Sequence, residues 1–338
     1  MILFNKVNKI FVKRNVLQLQ RLLHTKQTNV LYPLESRRLL RIKGNDTALF
    51  LQGLITNDMR HFEEGAKSMY AMFLNNKGRV LYDTLIHKWE DDKSFIIECD
   101  KEVLTTLLRH LKLYKLRRAV EFEDVSQYFR LWALMSTVSG LDNPVNVKNP
   151  INIYKDPRLS DLGYRVLSSS DLEGSDIAKI IGNNVVSESK EDGYKYLKYT
   201  LGVSEGAEDL TPGACFPLEV NCDYLHGVSF HKGCYIGQEL TARVHHTGVV
   251  RKRIMPLKFK QPPNENLEKD VIITASDKPK SNLGKLKGFI NEYGIGLMRI
   301  KEALDSTSLR VGNHEVEVQK PSWWPVEAPK EKLITKSE

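Results

Sequence analysis

An α+β fold that ends in a small β-barrel or sandwich is predicted by three features of the sequence. Residues 100–118 carry one strongly amphipathic helical pattern. Residues 70–86 read as a β-hairpin, with a polar turn between two apolar runs. From Val271 onward, short apolar runs alternate with turn residues.

The elements follow in chain order. Residues 38–42 read as a short strand. Asn45-Asp46 can cap a helix running to about Leu54, and Thr56-Asn57-Asp58 breaks it. Asn75-Asn76-Lys77-Gly78 is the hairpin turn between 70–74 and 80–86. Asp100 caps the long helix, whose buried stripe is Val103, Leu104, Leu107, Leu108, Leu111 and Tyr114. Lys112, Lys115, Arg117 and Arg118 load its C-terminal end, where cations oppose the macrodipole favourably. Residues 140–160, rich in Asn and Pro, read as a long surface connection. Residues 162–167 read as a strand, 192–201 as a helix and 206–221 as irregular. Gln261-Pro262-Pro263-Asn264 marks a break. Beyond it 271–274, 285–290, 294–300 and 316–319 read as short strands. Trp323-Trp324, set between two prolines, reads as docked on the body, with a partner contact as the alternative.

Charge is unevenly spread. The net charge is +8, yet Glu35 is the first acid, and Lys6, Lys9, Lys13, Arg14, Arg21 and Lys26 precede it. Without those six the balance is +2, so the basic character belongs mainly to the N-terminus and does not argue for nucleic acid. That stretch has the pattern of a mitochondrial targeting peptide: basic, free of acids, with Leu3, Phe4, Val7, Ile10 and Phe11 on one helical face. It is expected to span 1–26 and to direct the protein to the mitochondrial matrix. No apolar run approaches the roughly 20 residues of a membrane-spanning helix.

Four cysteines (Cys99, Cys215, Cys222, Cys234) form no C-x-x-C pair, and a disulfide framework is not expected in a large, non-secreted chain. Chemistry concentrates in the octapeptide Lys232-Gly233-Cys234-Tyr235-Ile236-Gly237-Gln238-Glu239. A neighbouring cation or helix N-terminus favours the thiolate, which is the nucleophilic and metal-binding form. Flanking glycines allow a tight turn and close approach by a ligand or second chain. Just upstream, Glu219 falls between apolar residues; a partly buried carboxylate of this kind can accept paired hydrogen bonds from an amino-substituted heterocycle. Solvent exposure or a salt bridge is the commoner fate of such a glutamate.

The segment from Glu219 to Glu239, with Asp156-Pro157-Arg158 and Leu162-Gly163-Tyr164-Arg165, resembles the YgfZ branch of the glycine-cleavage T-protein (aminomethyltransferase) superfamily, most of all its mitochondrial members that assist iron–sulfur cluster assembly. The resemblance implies three domains around a central opening. Two interleaved folate-binding-type α+β domains would occupy 27–250, and a C-terminal β-barrel 251–325, with a tail at 326–338. It implies that Glu219 contacts the pterin of tetrahydrofolate, with Asn221 and Arg243 as further cofactor-binding candidates. Two departures bear on activity. The aminomethyltransferases carry an Asp-Asp pair where this chain has Tyr82-Asp83, and a Glu where Arg165 stands. Aminomethyl transfer is therefore doubtful, whereas folate binding is compatible with the residues present.

An iron–sulfur cluster normally takes four protein ligands. Cys215, Cys222 and Cys234 lack the compact spacing of ferredoxin runs, so a cluster held by this chain alone is not expected. The resemblance implies instead a cluster shared with an A-type scaffold protein, Cys234 being a ligand or reactive thiolate, in the maturation of client 4Fe–4S enzymes. A monomer that forms a heterodimer would suffice. A zinc site from Cys222, Cys234 and two of His231, His245 and His246 lacks zinc-finger spacing. A Cys–His hydrolase fits the residue types and no more. The basic stretch of Lys232, Arg243, Arg251, Lys252, Arg253, Lys258 and Lys260 reads as a solvated surface, a contact for an acidic partner or for a folate's glutamate tail, and last as a nucleic-acid site, because aromatic interleaving is sparse. The competing function is a folate-dependent one-carbon transferase.

Overall fold

The structure is a computed structural model and describes residues 29–136, 150–182 and 184–326. The expected targeting stretch and nearly all of the tail lie outside these residues. Strand β1 (Asn29–Pro33) opens the fold, followed by β2 (Arg37–Lys43) and helix α1 (Thr47–Gln52). Then come β3 (Ser68–Leu74), β4 (Val80–Trp89), β5 (Ser94–Asp100), α2 (Leu104–Lys115) and β6 (Glu121–Asp124). The chain continues through β7 (Phe129–Met135), β8 (Ile151–Lys155), β9 (Tyr164–Ser169), α3 (Gly174–Ile181) and β10 (Val185–Ser187). Helices α4 (Asp192–Leu201), α5 (Gly206–Asp209) and α6 (Gln238–Thr247) lead to the last unit. That unit holds β11 (Lys252–Phe259), β12 (Ile272–Ala275), β13 (Gly284–Ile290), β14 (Tyr293–Arg299), α7 (Ile300–Asp305), β15 (Leu309–Val311) and β16 (His314–Val318).

The strands form two five-stranded sheets and a closed barrel. One sheet runs β3-β4-β5-β2-β6, the other β10-β1-β7-β9-β8, and the barrel closes as β11-β14-β13-β12-β15-β16. The sheets are interleaved, because β1 leaves one sheet, the whole β2–β6 sheet follows, and β7 returns to pair with β1.

Period-two alternation decides which side chain meets which layer. In β3, Met69, Ala71 and Phe73 point to the α1–α2 layer, while Tyr70, Met72 and Leu74 point to the other sheet. In β9, Tyr164 and Val166 point to the layer beneath α3, and Leu167 faces the inter-sheet core. Both faces of these strands are covered, so β3 is a nearly continuous apolar run, and β9 alternates less than a half-exposed strand would. Three expectations need correction. Residues 151–155, placed in a surface connection, form a largely buried strand. The Pro262-Pro263 break lies inside the barrel, because β11 precedes it. Tyr114 is exposed rather than part of the buried stripe of α2. Asp100 does cap that helical segment, accepting from Glu102 N–H at 2.7 Å. Trp323 donates from Nε1 to the Leu201 carbonyl at 2.8 Å, and Trp324 is buried against the barrel.

Charged residues stand on the inner face of both sheets. Glu98 of β5 accepts from Arg37 Nε at 2.9 Å and from Arg165 Nε at 3.2 Å. Arg165 and Arg158 both donate to Glu205 at 2.7 Å, and Arg158 also holds Asp156 at 2.8 Å. Lys198 of α4 approaches Glu205, and Arg37 reaches Asp83. All eight side chains are buried. Burial would raise the Glu98 carboxyl, but Arg165 and Arg37 outweigh it and hold it at about 2. Asp83 keeps a raised pKa, because burial outweighs Arg37. The void beside this seam, between Arg37, Lys198 and Glu205, measures about 30 Å³, room for one water-sized molecule.

Candidate functional site

The octapeptide is fastened to the β2–β6 sheet at both ends. After α1 the chain turns through Gly53 to Asp58, leaving carbonyls without helical partners. Lys232 Nζ takes three of them: Gln52 at 2.7 Å, Ile55 at 2.8 Å and Asn57 at 2.6 Å. Thr56 Oγ1 donates to the Gly227 carbonyl, and Asn57 Nδ2 donates to those of His226 and Tyr70. Downstream, Ile236 N–H donates to the Gly53 carbonyl at 3.1 Å. Tyr235 is buried under the Lys232 ammonium, and its N–H donates to Gln238 Oε1.

The two glycines of the octapeptide have different roles. Gly237 sits at φ +79° against the hairpin turn, and a Cβ there would lie 2.3 Å from the Asn75 carbonyl oxygen. Gly78 of that turn faces back, so the two backbones meet where side chains are excluded. A Cβ on Gly233 would meet nothing within 4 Å. The packing of this chain therefore requires Gly237 and leaves Gly233 open to solvent.

Cys234 lies between these fastenings and is the one exposed cysteine; Cys99, Cys215 and Cys222 are buried. Burial pushes the thiols of Cys99 and Cys215 up to about 12 and that of Cys222 well above its ordinary value, which keeps all three protonated at neutral pH. Lys232 does not supply the activating cation expected for Cys234, since its ammonium is directed at backbone carbonyls. Burial pushes that ammonium down to about 8, against the pull of Asp58. Helix α6 begins four residues after Cys234, with Glu239 and Arg243 exposed along it. Phe230 stacks on His245 with ring centroids 3.5 Å apart. Among the described residues no group of three or more His, Cys, Asp and Glu is placed to hold a metal ion. One soft, exposed thiol can be a nucleophile or one ligand of a shared metal centre.

Glu219 lies on a 3-10 turn (Pro217–Val220) rather than a strand, and one carboxylate oxygen accepts from Phe216 N–H. It lines a cleft of about 290 Å³ with Phe216, Leu218, Val244 and Arg251, beside the buried hydroxyl of Thr241, which has no hydrogen-bond partner among the described residues. Asn221 is fully buried at φ +60°. Its amide donates to the Ile254 carbonyl and its oxygen accepts from Arg253, so the side chain ties the turn to the barrel. Tyr82 packs beneath α2 against Phe73 and His110, on the face of β4 away from the seam. Asp83 faces the seam and is engaged by Arg37 and the Gly206 N–H. Sequence reasoning missed the seam, although Glu98 and Arg165, each set in an apolar strand, mark it. It also missed the Gln52–Asn57 carbonyls, for which the sequence carries no local signal.

Two family models match the chain: the GCVT N-terminal domain over 19–137 and the CAF17 C-terminal beta-barrel domain over 251–326. In solved structures it is similar to the glycine cleavage system aminomethyltransferase T of Bartonella henselae, with a TM-score of 0.70 over 90% of this chain and 89% of that one. At 14% identity that likeness shows the fold alone. Among curated proteins it is 34% identical to the mitochondrial iron–sulfur cluster assembly factor IBA57 of Mus musculus, over 88% of this chain and 86% of that one. The human protein of that name is also 34% identical, over 87% and 85%. A homologue in Mycosarcoma maydis is 37% identical over 70% of this chain and 58% of its own length. With that identity and coverage, the chain belongs to the IBA57 family of mitochondrial iron–sulfur cluster assembly factors.

Proposed function

We propose that this protein works in the mitochondrial matrix as an iron–sulfur assembly factor that offers Cys234 to a cluster otherwise held by an A-type scaffold protein, in the maturation of 4Fe–4S client enzymes. The observation that carries this reading is an exposed thiol clamped on both sides by a half-buried lysine and a backbone-to-backbone glycine contact, with open space at Gly233. One thiolate leaves a cluster three ligands short, so a partner must bring the rest. The cluster is cargo here, and the clamp fixes where it meets the chain. A monomer meeting one scaffold molecule gives a heterodimer.

The test is anaerobic cluster reconstitution of the protein alone, mixed with an A-type scaffold, and with Cys234→Ala in its place. A coloured heterocomplex that disappears with the variant is expected. A heterocomplex of unchanged colour and elution volume with Cys234→Ala would remove the cysteine from the role.

Tetrahydrofolate belongs to the same reading, and the Glu219 cleft supports it. A carboxylate with one oxygen still unengaged, an unpartnered hydroxyl and apolar walls suit an amino-substituted ring, with Arg251 and Lys252 at the rim for an acidic tail. The volume, about 290 Å³, takes the ring and leaves the tail outside. When bound, that cofactor carries one-carbon units. Glu219→Gln should weaken tetrahydrofolate binding about 30-fold, read by fluorescence titration, because it removes a charge-assisted pair. Unchanged binding would separate the cleft from the folate. A one-carbon transferase is the weaker reading, since Tyr82 is packed under a helix and Asp83 is held by Arg37.

A further inference from the structure

We propose that the tip of α2 is a docking surface for an anionic phospholipid bilayer. From Val103 to Val120 the chain has no acid and carries Arg109, Lys112, Lys115, Arg117 and Arg118. None of these five side chains forms an ion pair or side-chain hydrogen bond among the described residues. Of the flanking acids, Glu102 lies at the opposite end of the helix, and Glu121 and Glu123 are already held by Lys43 and Arg41. Between the cations, Leu113 is 70% exposed, Tyr114 40% and Leu116 85%. Leu116 has φ +48° and ψ −118°, backbone space that glycine occupies without strain. A turn needing only to reverse direction would be served by glycine there; this one holds a leucine out into water.

The occupant follows from shape and charge. A stable protein interface needs about 800 Å² per partner around a desolvated centre. Three side chains at the end of a helix offer neither. They do offer what an interfacial contact uses: two leucines to enter the acyl boundary, a tyrosine for headgroup level, and flexible cations to reach phosphates.

Flotation of the full chain with vesicles of phosphatidylcholine, or of phosphatidylcholine with about 30 mol % phosphatidylserine, tests the proposal. The six cations before Glu35 can also bind such vesicles, so the reading is the difference between wild type and variants. Replacing Lys112, Arg117 and Arg118 by Gln should weaken partition to the anionic vesicles about 100-fold, since each surface cation contributes about fivefold. Leu116→Gly should raise the melting temperature by relieving strain and still weaken partition about fivefold, a combination no purely structural role gives. Equal partition of wild type and both variants would overturn the proposal. So would a poly-glutamate probe that binds the wild type, loses affinity with the glutamine variant and ignores Leu116→Gly, which would mark an acidic protein partner instead.

Discussion

The seam between the sheets and the Cys234 loop are both rich in chemically capable side chains, and they are built on opposite terms. In the seam, Arg37, Arg158, Arg165 and Lys198 meet Asp83, Glu98, Asp156 and Glu205, and every charge is answered from within the chain. In the loop, Lys232, Tyr235 and Gly237 are consumed in holding the backbone, and Cys234 is left exposed and unengaged. Titratable density alone would rank the seam first as a functional site. On the proposed reading, the seam, whose charges are ion-paired within the chain although Nη1 of Arg158 and of Arg165 lack a hydrogen-bond acceptor among the described residues, holds structure, and the one thiol fixed at the surface serves a partner.

That contrast can be broken or sharpened by substitution. The largest effect is expected in the seam. Glu98→Ala removes the carboxylate that accepts from Nε of two buried guanidinium groups and should lower stability by about 3–5 kcal/mol in urea unfolding. Acid titration gives the same seam a signature. Glu98 sits at about 2 in the fold against about 4.5 when free, so its contribution is present above 4.5 and lost as pH falls toward 2. Asp83, raised by burial, has the opposite sign and softens that fall. Glu98→Gln should flatten the acid limb, and a limb as steep as wild type would assign it to other groups. In the loop, Gly237→Ala must displace the hairpin turn and should cost about 2 kcal/mol. Lys232→Met orphans three carbonyls beside it and should cost about 1–3 kcal/mol, with heterocomplex formation falling in parallel. Gly233→Ala and Cys234→Ala should change stability by less than about 0.5 kcal/mol while removing the coloured heterocomplex. Melting shifts in these last two as large as those of Gly237→Ala would erase the distinction between holding and presenting.

Legibility in the sequence followed the range of the interactions. The β3–β4 hairpin, α2 with the Asp100-capped turn (Lys101–Val103) that leads into it, and α4 rest on local signals, and they stand where those signals put them. Strand β5 was unreadable because Phe95-Ile96-Ile97 shows no alternation; α1–α2 covers one face and the second sheet the other. Strand β8 was hidden by Asn and Pro around it. At the site, Cys234 and its glycines were legible as a motif. The partner of Lys232, a carbonyl 180 residues away, was not, because nothing local encodes that register.

The interleaving also sets an order in time. A chain that emerges N-terminus first, from a ribosome or a translocation pore, presents β1 before any strand it pairs with. The complete β2–β6 sheet must come out before β7 arrives, so β1 waits as an unpaired apolar strand. Its partner on the other side, β10, comes later still. The β2–β6 sheet can assemble as soon as its last strand is free, and the second sheet can only close around it. Folding of this protein is thus a race between synthesis or import and capture of one exposed N-terminal strand, and holdase chaperones have their natural substrate in that interval.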